Sequence, residues 1–335
     1  MSGGLDYVVV WAGIIAFAVL AYVIMDGFDL GIGILFHCLD PGEERDLAMN
    51  SVAPVWDGNE TWLVMGGGGL LAAFPLAYAM ILPATYPLVI AMLLGLVFRG
   101  VAFEFRWRDA AHQRAWDAAF TLGSLLAALA QGMMLGAIVQ GIHVEDRAYA
   151  GGRLDWLSPF SVLTAVALTA GYALLGATWL VGKTSGALQK HARRLARRAG
   201  VVTLVLLVAV SAVTPLLDLD YWRSWFTMPG VLLAAQAPVL TAVLAAALFL
   251  GLHRRLDWLP FLAALGLFVL GFAGLAISLF PHVVPPSVTI WDAAAPAASL
   301  RFMFAGAIFI VPVILAYTGW SYWVFRGKVA AHGYH

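Results

Sequence analysis

The sequence predicts an all-α polytopic membrane protein. It reads as nine transmembrane helices, two four-helix bundles plus one extra helix, with the N-terminus outside and the C-terminus cytoplasmic. Three observations carry this. Of the 335 residues, 62% are hydrophobic and 11% charged, with a mean hydropathy of +0.88, whereas soluble domains are about 45–50% apolar and about 25% charged. Nine apolar runs approach the roughly 20 residues that a spanning helix needs. They cover 8–36, 51–74, 78–103, 116–141, 157–181, 200–217, 229–252, 258–280 and 301–325. Finally, Lys and Arg alternate from side to side as nine crossings require. With the N-terminus outside, 15 of the 19 basic residues fall on the inner side and four on the outer. This is the bias that sets orientation in membranes.

The first run follows "MSGGLDYVVVWAG", which has no basic n-region and no small-residue cleavage site, so it reads as a retained helix rather than a signal peptide. The second and third share an uncharged stretch from Thr61 to Phe98, broken here at the turn-like "AAFPLAYA". The inner segments hold Arg45, then Arg99, Arg106, Arg108 and Arg114, then six basic residues from Lys183 to Arg198, then Arg254 and Arg255, then Arg326 and Lys328. Arg147, Arg153, Arg223 and Arg301 are the outer four. A faint repeat at a spacing of about 150 sets "AYVIMDGFDLGIG" against "GYALLGATWLVGK", matching Tyr22 with Tyr172 and Leu30 with Leu180. His143 and His282 end the fourth and eighth runs. The resulting units are 1–150, 151–290, and 291–335 for the ninth helix and tail. Coincidence among apolar residues is the alternative.

The ionisable residues do not scatter along these runs. Asp29 lies about 10 Å inside the cytoplasmic end of the first helix, by the 1.5 Å rise per residue, and Asp26 is one turn deeper on the same face. In "VWDGNETWLV" the same arithmetic puts Asp57 about 9 Å into the second helix and Glu60 one turn further. Arg99 comes to the cytoplasmic end of the third helix, with Glu104 beyond it. Asp26, Asp29, Asp57, Glu60 and Arg99 are therefore expected to converge, with Gln131 and Gln140 further out. A charge at a helix centre costs about 2.5–3.5 kcal/mol on insertion scales. Four carboxylates cannot all ionise comfortably beside one arginine, so one can hold and exchange a proton. A plain Asp–Arg strut between helices is the alternative. Gly27, Gly31, Gly33 and the "GGGG" at 66–69 read as close helix packing.

Other chemistries find little support. One cysteine, Cys38, excludes a disulfide framework and iron–sulfur ligation. The eight histidines all fall at helix ends, in loops or in the tail, so no mid-membrane haem ligand is seen, and there is no zinc-type spacing or phosphate-binding loop. Zero net charge and the absence of a basic tract leave nucleic acid without support. The 13 tryptophans suit interfacial belts. The chain alone is expected to have no catalytic residue, no metal and no cofactor of its own.

"DGFDLGIGIL" (26–35), "NSVAPVWDGNETWLV" (50–64), "VPPSVTIWDAA" and "PVILAYTGWSYWVFRGKV" resemble the second subunit of cytochrome bd-type quinol oxidases, and "LFPHVVPPSVTIWDAAAP" leans toward the cyanide-insensitive branch. The resemblance implies a bacterial inner-membrane heterodimer. Its larger first subunit would carry haems b and d and the quinol site, and the complex would pass electrons from quinol to oxygen in the aerobic respiratory chain. It implies that the present chain is haem-free, supports that partner and helps build the cytoplasmic proton route. Asp57 matches the family's aspartate in WDGN, Asp26 and Asp29 the DGFD carboxylates, and Arg99 a basic position ending the third helix. Asp57 and Glu60 would pass protons; Asp26 and Asp29 would shape the mouth, paired in part with Arg99. Some members hold a structural quinone here, and a small accessory subunit is a further candidate partner. The competing readings are a stand-alone proton-coupled transporter, weakened by the lack of matching helix breaks in the two halves, and a purely structural scaffold.

Overall fold

The computed structural model describes residues 5–228 and 230–329. Apart from two short antiparallel hairpins, the ordered elements are helical. Among the described residues nine helices have 18 residues or more: α1 (Tyr7–Leu35), α3 (Trp56–Ala73), α4 (Pro75–Arg108), α5 (Gln113–Gln140), α6 (Pro159–Lys183), α7 (Gly186–Val213), α10 (Gln236–His253), α11 (Leu259–Leu279) and α13 (Ala297–Val324). The short helices are α2 (Glu43–Asn50), α8 (Leu219–Phe226), α9 (Gly230–Ala234) and α12 (Ile290–Ala293). Strands β1 (Val144–Glu145) and β2 (Ala148–Tyr149) follow α5, and β3 (His282–Val284) and β4 (Val288–Thr289) follow α11.

Eight of the nine long helices are apolar enough to cross a membrane. The exception is α3, corresponding to the expected second span. Asp57, Asn59 and Glu60 in its first two turns, and four glycines further on, pull its hydropathy down. The chain is thus an all-α polytopic membrane protein.

Several boundaries differ from expectation; the expected seventh run, 229–252, is split into α9 and an α10 that starts at Gln236, and three others have a clear local reason. The second span begins at Trp56 rather than 51, because "SVAP" closes a set of turns after α2. Asp57 accordingly sits in the first turn of α3 and not 9 Å inside it. Helix α4 runs on to Arg108, so Arg99 lies about 13 Å from its end, inside the bundle rather than at the surface. Helix α7 starts at Gly186, not 200, because "GALQKHARRLARRAG" is itself an amphipathic helical stretch feeding the apolar one.

Helix α1 is the central element and packs against α3, α5 and α6. Its crossing with α6 is close because Gly31 meets Gly176. A Cβ on Gly176 would stand 2.5 Å from the Gly31 carbonyl carbon, closer than real side chains come. One turn away Phe28 stacks on Trp179 at 4.2 Å, with Phe261 at its edge. The "GGGG" of α3 does not behave uniformly: Gly66 and Gly69 face Val19 and Ile15 of α1, while Gly67 and Gly68 have nothing within 4 Å.

Candidate functional site

The packing of α3 on α1, with Arg99 reaching in from α4, places the carboxylates. Asp26 and Asp29, one turn apart on α1, are each 0% exposed. On α3, Asn59 and Trp62 are three residues apart and form the face turned to α1, both about 1% exposed. The Asn59 Nδ2 donates to Asp29 Oδ2 at 2.8 Å and to the Met25 carbonyl at 3.3 Å, while its Oδ1 accepts from the Tyr322 hydroxyl of α13 at 2.8 Å. Arg99, also 0% exposed, comes across from α4. Its Nη1 stands 2.6 Å from Asp26 Oδ1, and its Nη2 donates to Glu60. Four expected residues, Asp26, Asp29, Glu60 and Arg99, therefore do meet.

The cluster is under-satisfied in a way that bears on its chemistry. The Asp26–Arg99 contact is a charge contact without hydrogen-bond alignment. Among the described residues, both Asp26 oxygens, Asp29 Oδ1, and the Nε and Nη1 of Arg99 are buried with no hydrogen-bond partner. Three carboxylates face one guanidinium. Buried charge of one sign in excess is costly, and orphaned acceptors are satisfied by a proton or a donor. The arrangement is one that can bind and release hydrogen ions.

Asp57 stands apart from this group. It is on the exposed side of α3 and lines a pocket of about 120 Å³ together with Asn59, Tyr317, Ser321 and Tyr322. The pocket and the cluster share Asn59, which lines the one and donates to Asp29 in the other. Glu60, with its side chain 26% exposed, looks toward the same uncovered side.

Gln131 and Gln140 divide. Gln131 of α5 is buried between the two tyrosines of the sequence repeat: its Nε2 donates to Tyr22 Oη at 2.8 Å and its Oε1 accepts from Tyr172 Oη at 2.7 Å. Gln140 ends α5 and accepts from Ser158.

Sequence reasoning missed Asn59 and Tyr322 as connectors, and a second ion network. Arg106 Nε donates to Asp117 at 2.6 Å and its Nη1 to Asp46 at 2.8 Å, while Arg45 binds the other Asp117 oxygen at 2.8 Å. Arg106 also lies 4.8 Å from the Trp107 ring and 5.4 Å from that of Phe36. These residues tie α2 to α4 and α5. Reading Arg45 and Arg106 as loop charges hid their partners, although the acids of "EERD" and "AWDAA" were the available signal.

Asp40, Glu44 and His191 bring three ligand-type atoms within 4.8 Å. A 2.9 Å Glu44–His191 hydrogen bond and a 3.1 Å bond from the Asp40 N–H to Glu44 account for that grouping. His191 departs from the expected placement: it lies in the second turn of α7, because that helix starts at Gly186 rather than 200. The other described histidines lie at helix ends, in the β3 hairpin or in connecting segments; His332 and His335 lie outside the described residues.

The comparisons with known proteins agree with each other. The family model described as cytochrome bd terminal oxidase subunit II matches residues 7–325. Cytochrome bd-I ubiquinol oxidase subunit 2 of Escherichia coli (strain K12) is 32% identical, over 97% of this chain and 96% of that protein. Cytochrome bd ubiquinol oxidase subunit 2 of Bacillus subtilis (strain 168) is 29% identical, over 96% of each. A chain of the bd oxidase from Geobacillus thermodenitrificans shares the fold, with a TM-score of 0.76 over 96% of this chain and 99% of that one, at 17% identity. The conserved length, the fold and the motifs around the buried carboxylates thus converge on one conclusion: the chain belongs to the cytochrome bd terminal oxidase subunit II family.

Proposed function

We propose that this chain is the haem-free second subunit of a bd-type quinol oxidase of the aerobic respiratory chain, in the bacterial inner membrane. It supports a haem-bearing first subunit and supplies part of the cytoplasmic route by which protons reach the site of oxygen reduction. The single observation that carries this reading is the group of buried Asp26, Asp29 and Arg99 with partly exposed Glu60, in acid excess and adjoining an uncovered helix face. In this reading Asp57 and Glu60 pass protons, and Asp26 and Asp29 shape the mouth with Arg99 as their counter-charge.

Where the first subunit packs is supported by what this chain leaves bare. Only 6% of the most apolar window of α13 is buried, and Phe302, Phe309 and Tyr317 are 82%, 73% and 67% exposed. On α3, Gly58, Gly67 and Gly68 offer open backbone to a neighbouring helix. Large apolar surfaces of this kind mark protein or membrane contacts. Asp57 and Glu60 lie on the same uncovered side, so protons leaving them would pass to the partner subunit.

Nine crossings follow if α3, shielded by that partner, counts as the second. The basic bias then puts the N-terminus outside and the C-terminus in the cytoplasm. The units 1–150 and 151–290 form two four-helix bundles, each ending in a hairpin, and 291–335 adds α13. Quinol and oxygen act through the complex, and a structural quinone or a small accessory subunit would be additional.

The test is co-purification. A tagged chain taken from native membranes is expected to bring a larger haem-bearing subunit with it, and deletion of this gene to remove the bd haem absorption. Unchanged oxidase spectra in the deletion strain would overturn the proposal. Proton-driven solute uptake by the lone chain in liposomes would favour the transporter reading.

A further inference from the structure

Helix α7 carries a feature that the oxidase reading does not use. Its second to fourth turns are basic, from Lys190 to Arg198, and it then runs without a break into the membrane span. Lys190, Arg194, Arg197 and Arg198 are exposed, as are Val201, Val205 and Val208 at 54%, 63% and 66%. At about 100° per residue these seven positions share one arc of roughly 100°. The face that meets lipid chains over 201–208 is the face that carries the cations over 190–198.

The buried side of the same helix is separately accounted for. Leu188, Ala192, Ala196 and Gly200 pack inward. Arg193 is turned to the α10–α11 connection, donating to the Arg255 and Leu256 carbonyls and pairing with Asp257 at 2.8 Å. Arg197 Nη2 donates to the Leu252 carbonyl at 3.3 Å, which leaves the rest of its fork outward. Among the described residues no carboxylate pairs with Lys190, Arg194, Arg197 or Arg198. Arg254 and Arg255 are exposed beside them and add to the positive field. The local acid, Asp257, is already shared by Arg193, Gln189 and Lys328.

The dimensions fit a phospholipid. Arg194 to Arg198 span about 6 Å along the axis. The headgroup layer of one leaflet is on the order of 5–8 Å thick. A lipid whose chains lie on Val201, Val205 and Val208 would present its phosphate at the level of the three arginines. Lys190, one turn further out, would meet a second anionic group on the headgroup or on a neighbouring lipid. Arginine forks suit phosphate oxygens.

We propose that the exposed face of α7 between Lys190 and Val208 is a binding site for an anionic phospholipid, with Arg194, Arg197 and Arg198 holding the phosphate and the valine stripe holding an acyl chain. It is distinct from the carboxylate cluster and lies on the second half of the chain. The bland alternative is that these cations serve orientation alone and attract anionic lipid no more than any other basic segment.

The experiment compares phosphatidylglycerol with phosphatidylcholine, added in equal amounts to the purified complex and counted by native mass spectrometry. At the affinity expected per basic residue near an anionic surface, R194Q/R198Q weakens phosphatidylglycerol binding about thirtyfold, and R194K/R198K keeps most of it. A control, R108Q/R114Q, removes the same charge from exposed inner-side positions of the first half and changes binding by less than about twofold. Subunit composition on a gel confirms that each variant is assembled. The proposal is overturned if R194Q/R198Q binds phosphatidylglycerol as the parent does, if the control loses as much, or if both lipids bind alike.

Discussion

Arg99→Gln is the most informative substitution in the buried cluster. Arg99 is 0% exposed and touches two acids, Asp26 at 2.6 Å and Glu60. Glutamine keeps much of the stem and a donor but removes the one positive charge that, among the described residues, contacts these carboxylates. Removing one partner of a buried pair costs about 3–5 kcal/mol, because the other charge is left uncompensated. Glu60 can hydrate, since its side chain is 26% exposed; Asp26, fully buried, cannot. At roughly 2–4 °C per kcal/mol, with a large chain at the lower end, the assembled protein should melt on the order of 5–10 °C lower. Asp26→Asn alone strands Arg99 less severely, because Glu60 remains. The double variant Arg99→Gln/Asp26→Asn removes both charges together, and neutral replacement of a buried pair is often near neutral in stability. A coupling of about 2–3 kcal/mol in the cycle is therefore expected. The assay is thermal unfolding of the detergent-solubilised complex for the parent, both singles and the double. Strictly additive losses, or an Arg99→Gln protein as stable as the parent, would refute the electrostatic account of the cluster.

Other expectations follow from the same physics. Gln131→Leu leaves the buried Tyr22 and Tyr172 hydroxyls without their shared partner. At about 1–3 kcal/mol per orphaned group it should destabilise by roughly 2–6 kcal/mol, more than Tyr172→Phe; equal stability of the two variants in a melting assay would count against a bridging role. In the α10–α11 connection, burial pushes the Asp257 carboxyl up, but Lys328, Arg193 and Gln189 outweigh it and hold the group below the usual carboxylate range. A depressed value stabilises above the ordinary carboxylate pKa and fades as pH falls through the folded one. The Val329 N–H, which donates to the Lys183 carbonyl at 2.8 Å, should thus stay protected from exchange down to about pH 4 and lose protection below it. Asp257→Asn should weaken that protection at neutral pH. Protection that is independent of both pH and the substitution would show that Asp257 does not anchor this segment.

Much of the fold was legible because lipid imposes a simple rule: long apolar runs become helices. The break at Pro75 and the convergence of Asp26, Asp29, Glu60 and Arg99 could be read from hydropathy and helix rise. The errors arose where amphipathic helix adjoins apolar helix. Basic residues 190–198 and the end of α4 read as loops because hydropathy averages do not distinguish an exposed charged helix from a connection. Partners across the bundle were not legible at all. Asn59 reaches Asp29 and Tyr322, 30 and 263 residues away, and such pairings depend on how helices are rotated about their axes. Asp57 shows the same limit: an offset of five residues in the start of α3 moved it from the interior to the rim.

The central claim is that acids on α1 and α3 deliver hydrogen ions to the reaction carried by the complex. Its most direct test is proton uptake during a single turnover of oxygen reduction, followed with a pH-indicator dye in the assembled Asp57→Asn complex. Haem absorption and the early electron-transfer phases should match the parent while dye-detected uptake slows, with steady-state oxygen consumption falling in step. Uptake at the parental rate throughout the neutral range, in a complex shown to carry the substitution, would contradict it.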